Sequence, residues 1–337
     1  MSKILVIVES PGKIKKIEEY LNSLKNGKYI VKASFGHCRD LNSKELSIDV
    51  DNNFEPFYNI IPGKEKVVRE LRSLMKDCSK VVLAADEDRE GEMIAASLKD
   101  LLKLKEYDRI VFHEITKNAI KNAIENPKKI NYDMVYAQQA RRLLDRLVGY
   151  KISPILWKKM QGQLSAGRVQ SVVVKIIVDK EKEIKDSVSN PYFKTLANFE
   201  YKKRKFNGNL TKDKDLYKFE NQEEAKNFLE SITKDDIFKV SDISVKDSIR
   251  KPSAPFTTST MQQDASTKLH FGVKRTMDAA QKLYEAGMIT YMRTDSTNLS
   301  EQAINECKDY ILKTYGKEYS DPKNFNKKSK GAQEAHE

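Results

Sequence analysis

Four short apolar runs, Lys3–Val8, Tyr29–Ser34, Val81–Ala85 and Ile110–His113, alternate with amphipathic stretches across residues 1–125. Runs this short and this apolar read as strands buried on both faces, and the stretches between them carry the 3.6-residue period of helices. Strand–helix alternation leaves few architectures. It predicts an α/β domain with a parallel sheet, whose strands open at their C-terminal ends onto one crevice, the usual ligand position in open sheets. Acidic residues at those ends are therefore candidates for a site.

A chain of 337 residues exceeds one ordinary core, and the pattern changes accordingly along it. From residue 126 to 188 apolar positions recur at three and four, as in Met134, Ala137, Leu143, Leu144, Leu147, Val169, Val172, Val173 and Ile176, giving a helical segment. Residues 189–250 show shorter alternations around Phe193–Phe199 and Ile237–Ile243, with one helix near Glu223–Ile232, and read as a mostly β segment. Two prolines in Lys251–Phe256 mark a linker. Beyond it, within 251–337, Thr260–Lys268, Gly272–Ala286 and Ser300–Thr314 are helical patterns. The expected fold class is α/β plus α+β, in several domains: 1–125, 126–188, 189–250 and 251–337. No internal repeat is visible.

Lys and Arg number 61 against 49 Asp and Glu, a formal charge of +12. That balance suits a polyanionic partner, although lysine solvation of an ordinary surface accounts for it as well. Cys38, Cys78 and Cys307 stand far apart without a CxxC pair, which argues against a disulfide framework and against a zinc site in this chain. A reducing, cytoplasmic setting follows, nucleoid-associated if the source is bacterial. The N-terminus has no signal-peptide pattern, and the run Ile4–Val8 is too short to cross a bilayer, so no membrane association is expected.

The segment Ala84-Ala85-Asp86-Glu87-Asp88-Arg89-Glu90-Gly91-Glu92 follows one strand and opens a helix. Its carboxylates repel one another unless a cation joins them, and Mg²⁺ takes oxygen ligands and needs only one or two carboxylates plus phosphate oxygens. A helix start that is merely acidic and solvated fits the same residues, because the macrodipole favours Asp and Glu there. Glu9, in Val8-Glu9-Ser10-Pro11-Gly12-Lys13, tips the balance: it ends the first strand and faces the same crevice. Glu9 with Asp86, Asp88 and Glu90 resembles the Toprim domain, shared by topoisomerases, bacterial-type primases and certain nucleases. The resemblance implies that Asp86, Asp88 and Glu90 hold Mg²⁺, with Glu9 either ligating the metal or moving a proton to the leaving sugar oxygen.

The decapeptide Gly287-Met288-Ile289-Thr290-Tyr291-Met292-Arg293-Thr294-Asp295-Ser296 resembles the catalytic-tyrosine motif of type IA DNA topoisomerases. A phenol with an ordinary pKa of about 10 is a weak nucleophile that needs adjacent positive charge. Arg293 and Lys13 supply it. For most of the 15 tyrosines, packing or surface decoration is the default, and it is the motif that singles out Tyr291. Pro255–Ser266 and Gly272–Met277 resemble the family's approach to that motif. Ala332-Gln333-Glu334-Ala335-His336-Glu337 resembles a motif whose histidine lies near the scissile phosphate, implying that role for His336.

In Ala137-Gln138-Gln139-Ala140-Arg141-Arg142-Leu143-Leu144-Asp145-Arg146, the spacing puts Arg142 and Arg146 on one helical face, where they can clamp phosphates. An Arg141–Asp145 surface pair is the bland alternative. Gln163-Leu164-Ser165-Ala166-Gly167-Arg168-Val169-Gln170-Ser171 offers a small-residue turn and amides at a helix start. Both segments resemble the family's single-strand-binding motifs, which implies DNA contacts from Arg141, Arg142, Asp145, Arg146, Ser165, Ala166, Gly167, Arg168, Val169 and Gln170, and the tyrosine motif implies one more from Arg293. Tyr150 and Trp157 lie between them as stacking surfaces, with core packing the alternative for Trp157. Phe35-Gly36-His37-Cys38-Arg39-Asp40-Leu41 resembles a family loop in which the histidine approaches DNA, here His37, although Cys38 replaces the usual aliphatic residue.

The resemblance implies two transesterifications at Tyr291 that cut, hold by the 5′-phosphate and rejoin one strand of negatively supercoiled DNA. The cofactor would be Mg²⁺ and the enzyme a monomer. No GxxxxGK[ST] sequence supplies an ATP site, and none is needed when the phosphotyrosine conserves the bond energy. Two rival readings remain: a Toprim primase or nuclease, and a non-catalytic DNA-binding fragment. If these 337 residues were the whole polypeptide, the family's ring could not close and strand passage should fail even where cleavage survives.

Overall fold

The computed structural model describes residues 3–162, 164–248 and 252–321. They fall into two compact units, one drawn from Met1–Gly167 and Pro252–Glu337, the other from Arg168–Lys251.

The first unit opens with β1 (Lys3–Val8), a 3-10 turn at Pro11–Lys13, α1 (Ile14–Ser23) and β2 (Lys28–Ala33). Four short strands follow, β3 (Arg39–Leu41), β4 (Ile48–Asp49), β5 (Glu55–Pro56) and β6 (Tyr58–Ile60), pairing antiparallel as β3 with β6 and β4 with β5. Then come α2 (Glu65–Lys76), β7 (Lys80–Ala84), α3 (Arg89–Leu102), β8 (Asp108–Arg109), α4 (Lys117–Glu125) and the 28-residue α5 (Tyr132–Lys159).

The sheet order is β2-β1-β7-β8, parallel throughout. Side chains alternate across it as the pleat requires. Leu5, Ile7, Val81 and Leu83 pack with α2 and α3, whereas Val6, Val8, Val31 and Val82 pack with α1 and α4. Both faces of the central strands are covered, which is why β1 and β7 read as continuous apolar runs, whereas the edge strand β2 alternates. From β1 the chain builds outward to β2 on one side and later to β7 and β8 on the other. The order thus reverses between β1 and β7, where Val8 pairs with Ala84. Glu9 and Ala85-Asp86 consequently leave the sheet side by side at its switch point. The fourth expected strand is displaced: it comprises Asp108 and Arg109, and Ile110 extends it only through its N–H to Leu83 O.

The second unit holds α6 (Gln170–Asp186), strands β9 (Leu196–Tyr201), β10 (Arg204–Asn209), β11 (Thr211–Lys212) and β12 (Asp215–Leu216), and α7 (Gln222–Ser231). β9 and β10 form a hairpin whose turn, Lys202-Lys203, takes φ of 47° and 65°, the left-handed pair that matches strand twist. No strand forms over Ile237–Ile243, where alternation had suggested one. The helical stretch 126–188 is thus divided between the units, α5 in the first and α6 in the second.

The chain returns to the first unit with α8 (Thr258–Leu269), α9 (Val273–Glu285) and α10 (Glu301–Thr314). Thr257 caps α8 reciprocally with Thr260. Ala280 and Tyr284 of α9, with Tyr291 and Met292, join the same apolar cluster as β1 and β7, so this returning segment is packed directly on the α/β domain.

Candidate active site at the sheet switch point

Local chemistry fixes the acidic turn. Asp88 caps α3 by accepting from Gly91 N at 2.7 Å, and a Cβ on Gly91 would stand 2.1 Å from Asp86 O. Only glycine lets the helix start so close beneath the turn. Asp86 and Asp88 are buried, and Glu9 extends from β1 beside them.

Burial in the first place, and the charge of Asp86 after it, push the Glu9 carboxyl up to about 7, against the pull of Lys13. Glu9 Oε2 is buried with no hydrogen-bond partner. Lys13, fully buried, donates to Asp86 Oδ1 at 2.5 Å. A buried ammonium is tolerated only against such a partner.

Two phenols close the crevice from the returning segment. Tyr284 donates to Asp86 Oδ1 at 3.2 Å, and Tyr291 donates to Asp88 Oδ2 at 2.6 Å. Their rings meet edge to face at 5.2 Å. Burial, then the neighbouring carboxylates, drive both phenols far above the ordinary tyrosine range. Arg293 lies 3.5 Å from Asp88 Oδ2, with about half of its side chain exposed. Backbone bonds hold Tyr291 in place: its N–H donates to His113 O, and Thr258 latches the following residues through Met292 O and Thr294. Gly287 turns the chain at φ +69°, where a Cβ would meet Ile115 O at 2.6 Å. A cavity of about 330 Å³ adjoins Tyr291, lined in part by Phe256, Met261, Ile289 and Asn298.

The four acids do not share one environment. Glu90 accepts from His37 at 2.9 Å and from Gln138 at 3.2 Å, and the His37 contact chiefly holds its carboxyl below the usual range. Burial would raise Glu87, but His113 and Lys128 bind its two oxygens and hold it down at about 2. Among the described residues no three acidic, histidine or cysteine groups stand ready at metal-ligand spacing. Glu9, Asp86 and Asp88 nevertheless fit Mg²⁺: they are all-oxygen donors, Glu9 Oε2 is an orphaned buried acceptor, and the ion needs few protein ligands.

Along α5 the expected DNA contacts are tied to the β3–β4 region. Arg142 pairs with Asp40 through Nε at 3.0 Å and through Nη2, and Arg146 donates to the carbonyls of Leu41, Asn42 and Glu45. Tyr150 donates to Ser43 O. Trp157 is 59 % exposed with its indole N–H on Leu164 O, so it is not core. Arg142, Asp145, Arg146, Tyr150, Ser153 and Trp157 line a pocket of about 590 Å³. Arg141 lies near enough to Glu90 to bear on its charge. Ala166 N donates to Ser153 Oγ at 3.0 Å, fixing the turn Ser165-Ala166-Gly167, while Arg168, Val169 and Gln170 open the second unit. His336 lies outside the described residues.

Several participants gave no clear signal in the sequence. Tyr284 sits seven residues before Tyr291 and reads as a helix core position. Glu285 accepts from Ser10 Oγ and crowds Gly12, tying α9 to the turn before α1. Arg109 and Glu92 form a fully buried pair beneath the acidic turn. Arg109 stands beside Asp108 just ahead of the apolar run at Ile110, where a charged residue reads as an ordinary strand end.

Comparison with known proteins follows the same division. A family model for DNA topoisomerase matches residues 129–337, and one for the Toprim domain matches residues 4–115. Full-length topoisomerase I from Thermotoga maritima has a solved structure similar to this chain, with 39% identity and a TM-score of 0.78 over 94% of this chain and 53% of that one. The chain thus spans about half the length of that relative. Among the described residues no helix is long and apolar enough to cross a membrane.

Proposed function

The chain belongs to the bacterial-type, type IA family of DNA topoisomerases, and from that premise we propose that it carries the strand-cleaving centre of such an enzyme, with Tyr291 as nucleophile. The observation that carries this reading is the hydrogen bond from Tyr291 to Asp88 across 203 residues, which sets the phenol in the acidic crevice at the sheet switch point.

The Tyr291 oxygen attacks a DNA phosphorus, the P–O3′ bond breaks, and the 5′-phosphate remains on the tyrosine. The phenol proton must leave and the 3′ oxygen must gain one. Asp88 already accepts the phenol proton's hydrogen bond, and Glu9, half protonated near neutrality, is suited to donate to the leaving oxygen. Tyr291 is 5 % exposed and held protonated, so substrate must open the crevice to reach the phenol, whose proton passes to Asp88 as the new P–O bond forms. Arg293 and Lys13 then supply the positive charge that favours phenolate and the transition-state phosphate. Asp86 and Asp88 would hold Mg²⁺, joined by Glu9 once its proton has gone to the leaving oxygen, with Glu90 drawn from its His37 contact if it joins them. When bound, the ion supplies charge that neutralises the carboxylates and a template for the broken end. Rejoining reverses the bond changes, needs no ATP, and in a complete ring relaxes negatively supercoiled DNA.

The pocket on α5 suits a single-stranded segment: Arg142 and Arg146 for phosphate, Tyr150 and the exposed Trp157 for base stacking. The segment 189–250 is read as part of the connecting arch, and a monomer suffices for the chemistry.

Peptide mass spectrometry after reaction with an oligonucleotide and nuclease trimming tests the assignment. The expected result is a nucleotide 5′-phosphate on the peptide containing Tyr291, and an adduct on another side chain would overturn it.

A further inference from the structure

Arg109 projects from the edge strand β8 and is completely buried, yet it touches neither phenol nor any carboxylate named in the reaction. Its guanidinium lies under the acidic turn instead. Nη1 donates to Ala85 O at 2.6 Å and to Leu83 O at 3.4 Å, and Nη2 donates to Asp86 O at 2.9 Å. Nε and Nη2 also donate to Glu92 Oε1, at 3.1 and 2.8 Å. The second oxygen of Glu92 accepts from Asn131 N at 3.0 Å, and Asn131 caps α5. One buried pair thus joins the end of β7, the backbone of the acidic turn and the start of the long helix.

Such a pair is a poor device for stability alone, since an apolar replacement of similar volume is often neutral or better. Electrostatic help to a bound cation is also small, because Arg109 and Glu92 cancel each other's charge. What the pair does supply is direction. The carbonyls of Ala85 and Asp86 are held by the guanidinium, Gly91 packs against Asp86 O, and from this fixed turn the Asp86 and Asp88 side chains reach Tyr284 and Tyr291 in the crevice.

We propose that Arg109 and Glu92 are positioning residues: a neutral clasp that holds the acidic turn at the spacing required for a divalent cation. The inference rests on the metal reading of Glu9, Asp86 and Asp88.

Removing both partners leaves net charge unchanged, so the variant Arg109→Met/Glu92→Met separates geometry from charge. The 337-residue chain, stripped with EDTA, is titrated calorimetrically with MgCl₂, and amide hydrogen exchange is followed for residues 86–91 without metal. Single-strand affinity in EDTA and the thermal midpoint are read in parallel. The double variant is expected to fold and to keep its metal-free oligonucleotide affinity within about twofold, while binding Mg²⁺ at least tenfold more weakly and exchanging those amides at least tenfold faster. Arg109→Lys, which keeps the charge but cannot span all the carbonyls, should fall between. Unchanged Mg²⁺ affinity and exchange in the folded double variant overturn the clasp. So does a double variant that fails to fold, because the pair then supports the domain as a whole. If the wild-type chain itself binds no Mg²⁺, the metal reading fails separately, and the exchange of residues 86–91 alone decides the clasp.

Discussion

Replacing Glu9 by Gln should make the chain more stable, and increasingly so as pH rises. The Glu9 carboxyl titrates near about 7 in the fold against 4.5 as its ordinary value. Between those values the folded chain holds a proton that the unfolded chain has released. Stability from this group is therefore intact below about 4.5 and is lost as pH rises through 7. At roughly 1.36 kcal/mol per pH unit of separation, full ionisation costs about 3 kcal/mol, most of it developing between pH 5 and 8.5. Gln keeps the shape and removes the charge. Urea unfolding in EDTA at several pH values, taken as variant minus wild type, cancels the titrations of groups remote from Glu9 and leaves that of Glu9 with its coupled neighbours. That difference should grow by about 2–3 kcal/mol from pH 5 to 8.5. Adding Mg²⁺ at pH 8 should narrow it, because the cation relieves the cost only where a carboxylate remains. A difference that is flat or shrinks with pH in EDTA would refute the reasoning that burial beside Asp86 dominates this site.

Glu87 has the opposite sign: held at about 2 by His113 and Lys128, its stabilisation is present above pH 4.5 and lost as pH falls toward 2, so Glu87→Gln should cost stability at pH 6 and little at pH 2, in the same urea assay. Gly91→Ala forces a methyl against Asp86 O and should cost about 1–3 kcal/mol, read as a midpoint lower by roughly 2–10 °C in calorimetry. Gly287→Ala meets Ile115 O from a left-handed backbone and should lower the yield of covalent adduct as well as the midpoint. Arg142→Ala should weaken single-strand binding and reduce the slope of log affinity against log salt by about 0.7, measured by fluorescence anisotropy.

The parts of the fold legible in the sequence were those whose pattern is local. β1 and β7 are buried on both faces and so stand out as apolar runs, β2 stands out at the sheet edge by its buried Tyr29, Val31 and Ala33, and α8 and α10 carry side-chain caps from Thr257 and Ser300. Strands of two or three residues, such as β3 to β6, have no period to detect. β8 was displaced because its second residue is Arg109, whose burial depends on a partner 17 positions away. Ile237–Ile243 alternates without forming a strand, since alternation alone supplies no neighbour to pair with. The site shows the same division. Glu9, Asp86, Asp88 and Tyr291 were legible as motifs and do converge, whereas Tyr284 and Glu285 acquire their roles only through contacts with Asp86 and Ser10. The Glu90 carboxylate, expected among the metal ligands, is engaged by His37 and Gln138 because α3 carries it toward α5.

The most direct measurement is a denaturing gel of the chain after incubation with a 3′-labelled single-stranded oligonucleotide, with Tyr291→Phe in parallel. Label migrating with the wild-type protein and absent from the phenylalanine variant is the result this account predicts. Tight binding of the oligonucleotide with no label on the protein, or equal labelling of Tyr291→Phe, would contradict it.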